Sequence, residues 1–225
     1  MSALLAVETS GSLCSVALQV SGRWFEDTQN VDRLHNRVVL HSLERLVEKA
    51  GVRRDGFSAV AFGAGPASFT GVRIAAAVAQ AVAFASDALV VPVRSSHALA
   101  LAASRDARAS TNDTRWLTVT RSRRDAYYLA GYRQLESKAL ERCLDDRLHQ
   151  GELPREEFVW EGWIGAGDRP PWWPDDQRFL DAVVVTARIV GELAIAVLER
   201  DEGLPPAAAM PIYVAGDSPW RPSNG

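Results

Sequence analysis

The sequence predicts an α/β protein built from two similar halves. Three observations lead there. Short apolar strands alternate with helical patterns along much of the chain. The segment "RWLTVTRSRRDAYYLAGYRQ" lies over "SALLAVETSGSLCSVALQVS" with strand, polar turn and strand in matching places. "EFVWEGWIGAGD" then echoes "FSAVAFGAGP", each a strand running into Gly-x-Gly. At 225 residues the chain is long enough for one large domain or two small ones with real cores. The expected halves are residues 1–100 and 101–225, divided near the polar break "SRDARASTNDT".

In chain order, "ALLAVETS" and "CSVALQVSG" read as two strands joined by the turn "SGSL", and "GRWFEDTQ" as a third. "DRLHNRVVLHSLERLVEKAG" is an amphipathic helix. Val39, Leu40, Leu43, Leu46, Val47 and Ala50 fill its inner arc, and Gly51 closes it. "FSAVAFG" is a buried strand. The loop "GAGPASFTG" leads into a helix from about Thr70 to Ala85, with Thr70 as a candidate cap. On that helix Ile74, Val78, Ala81, Val82 and Ala85 form the stripe expected on the sheet. Arg73, Ala76, Ala77, Ala79, Gln80, Ala83 and Phe84 are expected outward. "ALVVPV" is a strand and "SSHALALAAS" opens a helix. In the second half, "LDAVVVTARIVGELAIAVLERDEG" echoes the second helix of the first.

Composition narrows the function. A net charge of −3 argues against this chain gripping nucleic acid by itself. Cys14 and Cys143 give neither a disulfide framework nor a zinc spacing, and Cys14 reads as a core thiol. The N-terminus lacks the basic and apolar regions of a signal peptide. The longest apolar run is broken by Gln80 and flanked by Arg73 and Asp87, so a buried helix is expected and no membrane span. The expected compartment is the cytoplasm.

Two motifs invite a chemical reading. In "VETSGSL", Glu8 ends a strand and Thr9, Ser10 and Gly11 begin a turn whose N–H groups are a candidate phosphate site. The Glu8 carboxylate would hold magnesium through water. The plainer alternative is a tight hairpin with a polar tip. In "GAGPASFTG" no Gly-Lys-Ser/Thr follows, so the loop is not a P-loop. His35, His41, His97 and His149 show no metal-binding spacing, and no Gly-x-Ser-x-Gly elbow occurs. No catalytic residue and no metal ligand is therefore expected. Trp160, Trp163, Trp172 and Trp173 read as core and loop packing.

The stretches "LLAVETSGSLCSVAL", "FGAGPASFTGVRIAAAVAQAVAF", "WIGAGD" and "PIYVAGDSPW" resemble the TsaB family, also called YeaZ, in the right order over nearly the whole chain. The resemblance implies the duplicated α/β fold shared by actin, sugar kinases and heat-shock chaperone ATPases. It also implies a non-catalytic protein that pairs with TsaD as a heterodimer, and with itself when alone. With the ATPase TsaE, that complex forms N6-threonylcarbamoyladenosine beside the anticodon of tRNA. No cofactor is expected on this chain; ATP and magnesium would act through TsaD and TsaE, and tRNA would be met only in the complex. This sequence departs from the family in places. Leu101 stands where TsaD-like relatives carry the second histidine of a metal pair beginning at His97. Arg121 and Ala126 replace two carboxylates of the second hairpin, and Ala64 and Ala67 replace Arg and Gly in the loop.

Taken with the helix patterns, the resemblance implies a partner surface of Leu34, Val38, His41 and Arg45 on the first helix. Arg73, Ala76, Gln80, Ala83 and Phe84 on the second complete it. The alternative is a small ATP-dependent phosphotransferase or ATPase of the same fold class. A peptidase, a label once given to the wider family, finds no nucleophile or metal here.

Overall fold

The computed structural model describes residues 3–31, 35–53, 55–106, 114–151 and 162–215. The first half holds β1 (Ala3–Glu8), β2 (Leu13–Val20), β3 (Arg23–Asn30), α1 (His35–Ala50), β4 (Phe57–Gly65), α2 (Phe69–Ser86), β5 (Leu89–Arg94) and α3 (Ser95–Ser104). The second holds β6 (Arg115–Arg123), β7 (Ala126–Gln134), β8 (Leu140–Gln150), β9 (Trp163–Gly167), β10 (Phe179–Asp181) and α4 (Ala187–Leu198). The expected duplication is visible in the strand orders. One sheet runs β3-β2-β1-β4-β5, and the other, read from its far edge, runs β8-β7-β6-β9-β10. In each, three strands form an antiparallel meander and two more join in parallel.

The halves differ in what covers their sheets. One face of the first sheet, with Leu5, Val7, Val16, Val60 and Phe62, is covered by α1 and α2. Its other face, with Leu4, Ala6, Ala17 and Ala61, is covered by α4, a helix of the second half. In return α3, a helix of the first half, packs Ala100 and Ala103 on Trp116, Tyr132 and Ile164 of the second sheet. Polar contacts follow the exchange. The Ala187 N–H at the start of α4 donates to Ser15 Oγ at 2.9 Å. Ser96 and Tyr132 share a hydroxyl hydrogen bond of 2.9 Å. Arg94 reaches the buried Asp146 carboxylate at 2.9 Å. Neither sheet is covered on both faces without the other half. A cut after residue 100 also falls inside α3.

The remaining face of the second sheet carries Leu117, Leu129 and Trp163, and Trp173 packs against it. The Pro- and Trp-rich segment 168–178 joins β9 to β10, the place α2 takes between β4 and β5. Trp173 meets Phe179 edge-on at 4.8 Å, and its Nε1 donates to the Gln177 carbonyl at 3.1 Å. This bears out packing as the role of Trp163 and Trp173; Trp160 lies outside the described residues. By the same topology α4 follows β10 as α3 follows β5, so it does not correspond to the second helix. The long strand β8 was not expected, because its alternation of charged and apolar residues is that of a polar edge strand.

Helix α2 corrects the expected facing. Its inward stripe is Val72, Ala75, Ala76, Ala79 and Ala83. Ile74, Val78 and Val82 are only half buried beside it, and Ala81 and Ala85 face out. Ala76 and Ala83, expected on the partner surface, are 5% and 0% exposed. The reason is closeness. Gly71 lies against the β1–β2 turn so tightly that a Cβ there would run into the Thr9 carbonyl oxygen, and Thr9 Oγ1 donates to the Gly71 carbonyl at 2.8 Å. A helix held that near admits only small residues beneath it. By length and composition alone α2 could cross a membrane; packing on β4 accounts for the apolarity of its inward side. The helix is capped by Ser68, whose Oγ accepts from Gly71 N, and not by Thr70.

In α1, Val39 and Leu46 are buried as expected, but Leu40 is 54% exposed. Cys14 is buried, and burial together with nearby Asp27 pushes its thiol up to about 11. Ala76→Glu should therefore unfold the chain, at a cost of about 3–5 kcal/mol for an uncompensated buried charge. Thermal unfolding followed by circular dichroism will show a collapsed transition for Ala76→Glu and a near-native one for Ala77→Glu, which points outward.

Candidate functional site: the cleft between the halves

A cleft of about 450 Å³ opens where the strand ends of the two sheets meet. From the first half it is lined by the β1–β2 turn (Glu8, Ser10, Gly11, Ser12), Asn30, Ala67 and, from α3, Ser95 and Leu99. From the second it receives Val119 and Thr120 at the end of β6, Gly167 and Asp168 after β9, and residues 182–185 after β10. The structure thus brings the candidate turn residues to a cavity, as a phosphate site would require.

The turn is not arranged to receive phosphate. Glu8 is 2% exposed, and burial raises its carboxyl above its ordinary value, against the lowering effect of the Ser10 side chain and N–H. The Ser10 N–H donates to Glu8 Oε1 at 2.6 Å, so the turn spends that donor internally. Glu8 Oε2 has no protein partner and rests over Gly63, where any Cβ would collide with it. Thr9 is fully buried and turned toward α2. Among the described residues lining the cleft, none is Lys or Arg.

The loop before α2 is likewise committed to bracing. Gly65 N–H donates to Ser95 Oγ at 3.1 Å, Ser68 N–H to the Ser10 carbonyl at 3.3 Å, and Ile212 N–H to the Ala64 carbonyl at 2.7 Å. Across the cleft Asp168 does similar work, its Oδ2 accepting from Arg121 N–H at 2.7 Å. Arg121 itself lies over the Tyr127 ring. His97 stacks on Tyr132 at 5.1 Å, and burial lowers its pKa. Among the described residues, no group of three or more His, Cys, Asp or Glu is placed to hold a metal. Sequence reasoning missed Ser95 and Asp168; the Gly-x-Gly preceding Asp168 was the available signal.

The residues expected at a partner surface lie on the opposite side of the first sheet, on α1 and α2. His41 and Arg45 are exposed, Arg45 pairing with Asp27; Val38 is half buried, and Leu34 falls outside the described residues. Phe84 is 65% exposed. Arg73 is exposed, its guanidinium 3.4 Å from the centroid of Phe69, with Nε donating to Tyr213 Oη at 3.1 Å. Gln80 is half buried, with Nε2 3.5 Å from the Pro206 carbonyl.

A profile of the family described as "TsaD: tRNA N6-adenosine threonylcarbamoyltransferase" matches residues 29–150. The tRNA threonylcarbamoyladenosine biosynthesis protein TsaB of Escherichia coli (strain K12) is 26% identical over 231 residues, covering 99% of this chain and 98% of that protein. The protein of the same name from Haemophilus influenzae is 39% identical over 100 residues, spanning 44% of this chain and only 42% of that relative. Among solved structures, YeaZ from Pseudomonas aeruginosa has a TM-score of 0.81 at 30% identity, covering 95% of this chain and 100% of that one. Two sheets of one strand order with a cleft between them define a protein of the duplicated actin-like ATPase fold. Within that class the matches are specific. The chain belongs to the TsaB (YeaZ) family, which is named for tRNA threonylcarbamoyladenosine biosynthesis.

A raised carboxyl at Glu8 makes a signed prediction. In the window between the unfolded carboxylate value and the higher folded one, the native state binds more protons. Stability contributed by this site therefore falls as pH rises through that window. Glu8→Gln keeps an acceptor for Ser10 N–H and removes the titration. Its melting temperature relative to wild type should be higher at about pH 8 than at about pH 5. A difference independent of pH would place the Glu8 proton elsewhere.

Proposed function

We propose that this chain is a non-catalytic partner that docks and stabilises TsaD in the complex forming N6-threonylcarbamoyladenosine in tRNA, and that the docking face is the outer side of α1 and α2. The observation that carries this is the charge and size distribution of α2. Arg73 is its one charged residue in 18; Gly71, Ala75, Ala76, Ala79 and Ala83 are spent inward, and Ala77, Ala81, Phe84 and Ala85 are left facing out. On α1, Leu40 is exposed as well. An aromatic and an arginine on an otherwise apolar face match the composition of interface cores. When alone, the same face would pair two copies of the chain. TsaE and tRNA would be met through the complex, in the cytoplasm.

A phosphotransferase or ATPase, the alternative reading, asks more of the cleft. It needs an ionised carboxylate for magnesium and free donors or cations for phosphates. Glu8 is buried with a raised pKa, and the donors of Ser10 and Gly65 are taken. The reading without catalysis accords better with that lining.

Phe84→Glu tests the docking face without disturbing the core. Mixed with TsaD on size-exclusion chromatography, wild type should co-elute, and Phe84→Glu should bind at least about tenfold more weakly, as expected for loss of an aromatic anchor, with an unchanged circular dichroism melt. Co-elution of Phe84→Glu at wild-type affinity would remove α2 from the interface. Glu8→Ala, on the far side of the sheet, should co-elute normally.

A further inference from the structure

We propose that the face of the second sheet turned away from α3 is where this chain meets the phosphate backbone of the tRNA inside the complex. The inference rests on the reading that the chain works in a tRNA-modifying complex, and it names the surface. Strand register gathers arginines there. On the face that carries Val119, Leu129 and Trp163, Arg115 stands opposite Arg133, Arg121 opposite Tyr127, and Arg147 opposite Leu129. Arg115 and Arg121 lie near the two ends of β6, about 20 Å apart by the rise of a strand. That length spans several phosphates of a nucleic-acid strand.

The arginines are presented outward. Arg121, Arg133 and Arg147 are exposed, as are Arg123 and Arg124 at the adjoining hairpin tip. Two guanidiniums lie over rings, Arg115 at 5.4 Å from the centroid of Trp163 and Arg121 at 5.7 Å from that of Tyr127. A guanidinium braced in this way keeps its planar fork for a phosphate and loses little freedom on binding it. The acids nearby answer only part of this charge. Glu141 meets Arg133 at 2.6 Å, and Asp125 lies beside Arg124. Asp168 takes the backbone N–H of Arg121. Asp145 and Asp146 are held by Arg142, and Asp146 also by Arg94. The chain as a whole carries −3, so the positive excess is local to this face.

The choice of RNA over an acidic protein follows from what the face lacks. Protein interfaces are built round an apolar core. Among the described residues, no large apolar side chain of β6, β7 or β8 is exposed. The apolar centre of the face is already filled, with Trp172 meeting Tyr127 edge-on at 6.0 Å and His149 at 5.6 Å. Cations spread round a packed centre suit a line of phosphates, which asks for charge and spacing more than for apolar area. The docking face on α1 and α2 belongs to the first sheet, so both partners could be held at once.

The test is fluorescence anisotropy of an unmodified tRNA transcript titrated with the complex of this chain, TsaD and TsaE across a salt series. Arg121→Gln combined with Arg147→Gln should weaken binding at least about tenfold and flatten the slope of log K against log salt by about 1.5, the loss of two phosphate contacts. Both side chains are exposed, so the melting temperature and co-elution with TsaD should be unchanged. Arg200→Gln, which removes an arginine paired with Glu202 just beyond α4, should alter neither affinity nor slope. Three results would each overturn the proposal. One is wild-type affinity and slope in the double variant. Another is an equal loss in Arg200→Gln, which would be the work of net charge alone. The third is lost co-elution of the double variant with TsaD or TsaE, which would make this a protein-binding face. Failure of the docking reading shows separately, as a wild-type chain that does not co-elute with TsaD, and it would overturn this inference too.

Discussion

Close approach of α2 to the first sheet governs the architecture around it. Gly71 abuts the Thr9 carbonyl, Thr9 Oγ1 bonds back to Gly71, and Ala75, Ala76, Ala79 and Ala83 fill the remaining space above the strands. Each of these residues is small because anything larger would push the helix off the sheet. The consequence appears on the other side. With Gly71 and four alanines beneath the helix, Ile74, Val78 and Val82 are displaced to the flanks, and Phe84 stands on the outer surface beside Ala77, Ala81 and Ala85. An apolar outer face is therefore a product of tight inner packing.

The same contact fixes the cleft. Thr9 anchors the β1–β2 turn to α2, so Glu8 and Ser10 on either side of it are held at the mouth between the halves. The second half is locked to the first by exchange of covering helices, α4 onto the first sheet and α3 onto the second. Ser15 of β2, which accepts from Ala187 N–H at the start of α4, and the Arg94–Asp146 pair add polar ties across the same boundary. The two halves share their cores, and each supplies one wall of the cavity.

Much of the fold was legible in the sequence because the strand–turn–strand segments recur with their Gly-x-Gly partners, and sheet order follows from that recurrence. Facing was harder. Helix α2 is apolar all round, so periodicity cannot tell its sides apart. The rule that the largest residues lie innermost fails where Gly71 sets the approach. Leu40 was misplaced for a related reason: α1 buries Ser42, whose hydroxyl accepts from Gln29 Nε2 at 3.1 Å, and Leu40 is left exposed while Val39, Leu43, Leu46 and Val47 pack inward. At the cleft, Glu8 to Gly11 were found from spacing, but Asp168 and Ser95 come from elements far apart in sequence. That the turn's donors are already spent is a matter of hydrogen bonding that spacing does not record.

Hydrogen–deuterium exchange on the chain with and without TsaD tests the central claim, that inward packing of small residues on α2 creates a docking face on its outer side. The account predicts added protection in peptides covering α1 and α2, residues 35–50 and 69–86, with β6 to β8 unchanged. Protection confined to the second sheet, or none in α1 and α2 under conditions where the two proteins co-elute, would contradict it.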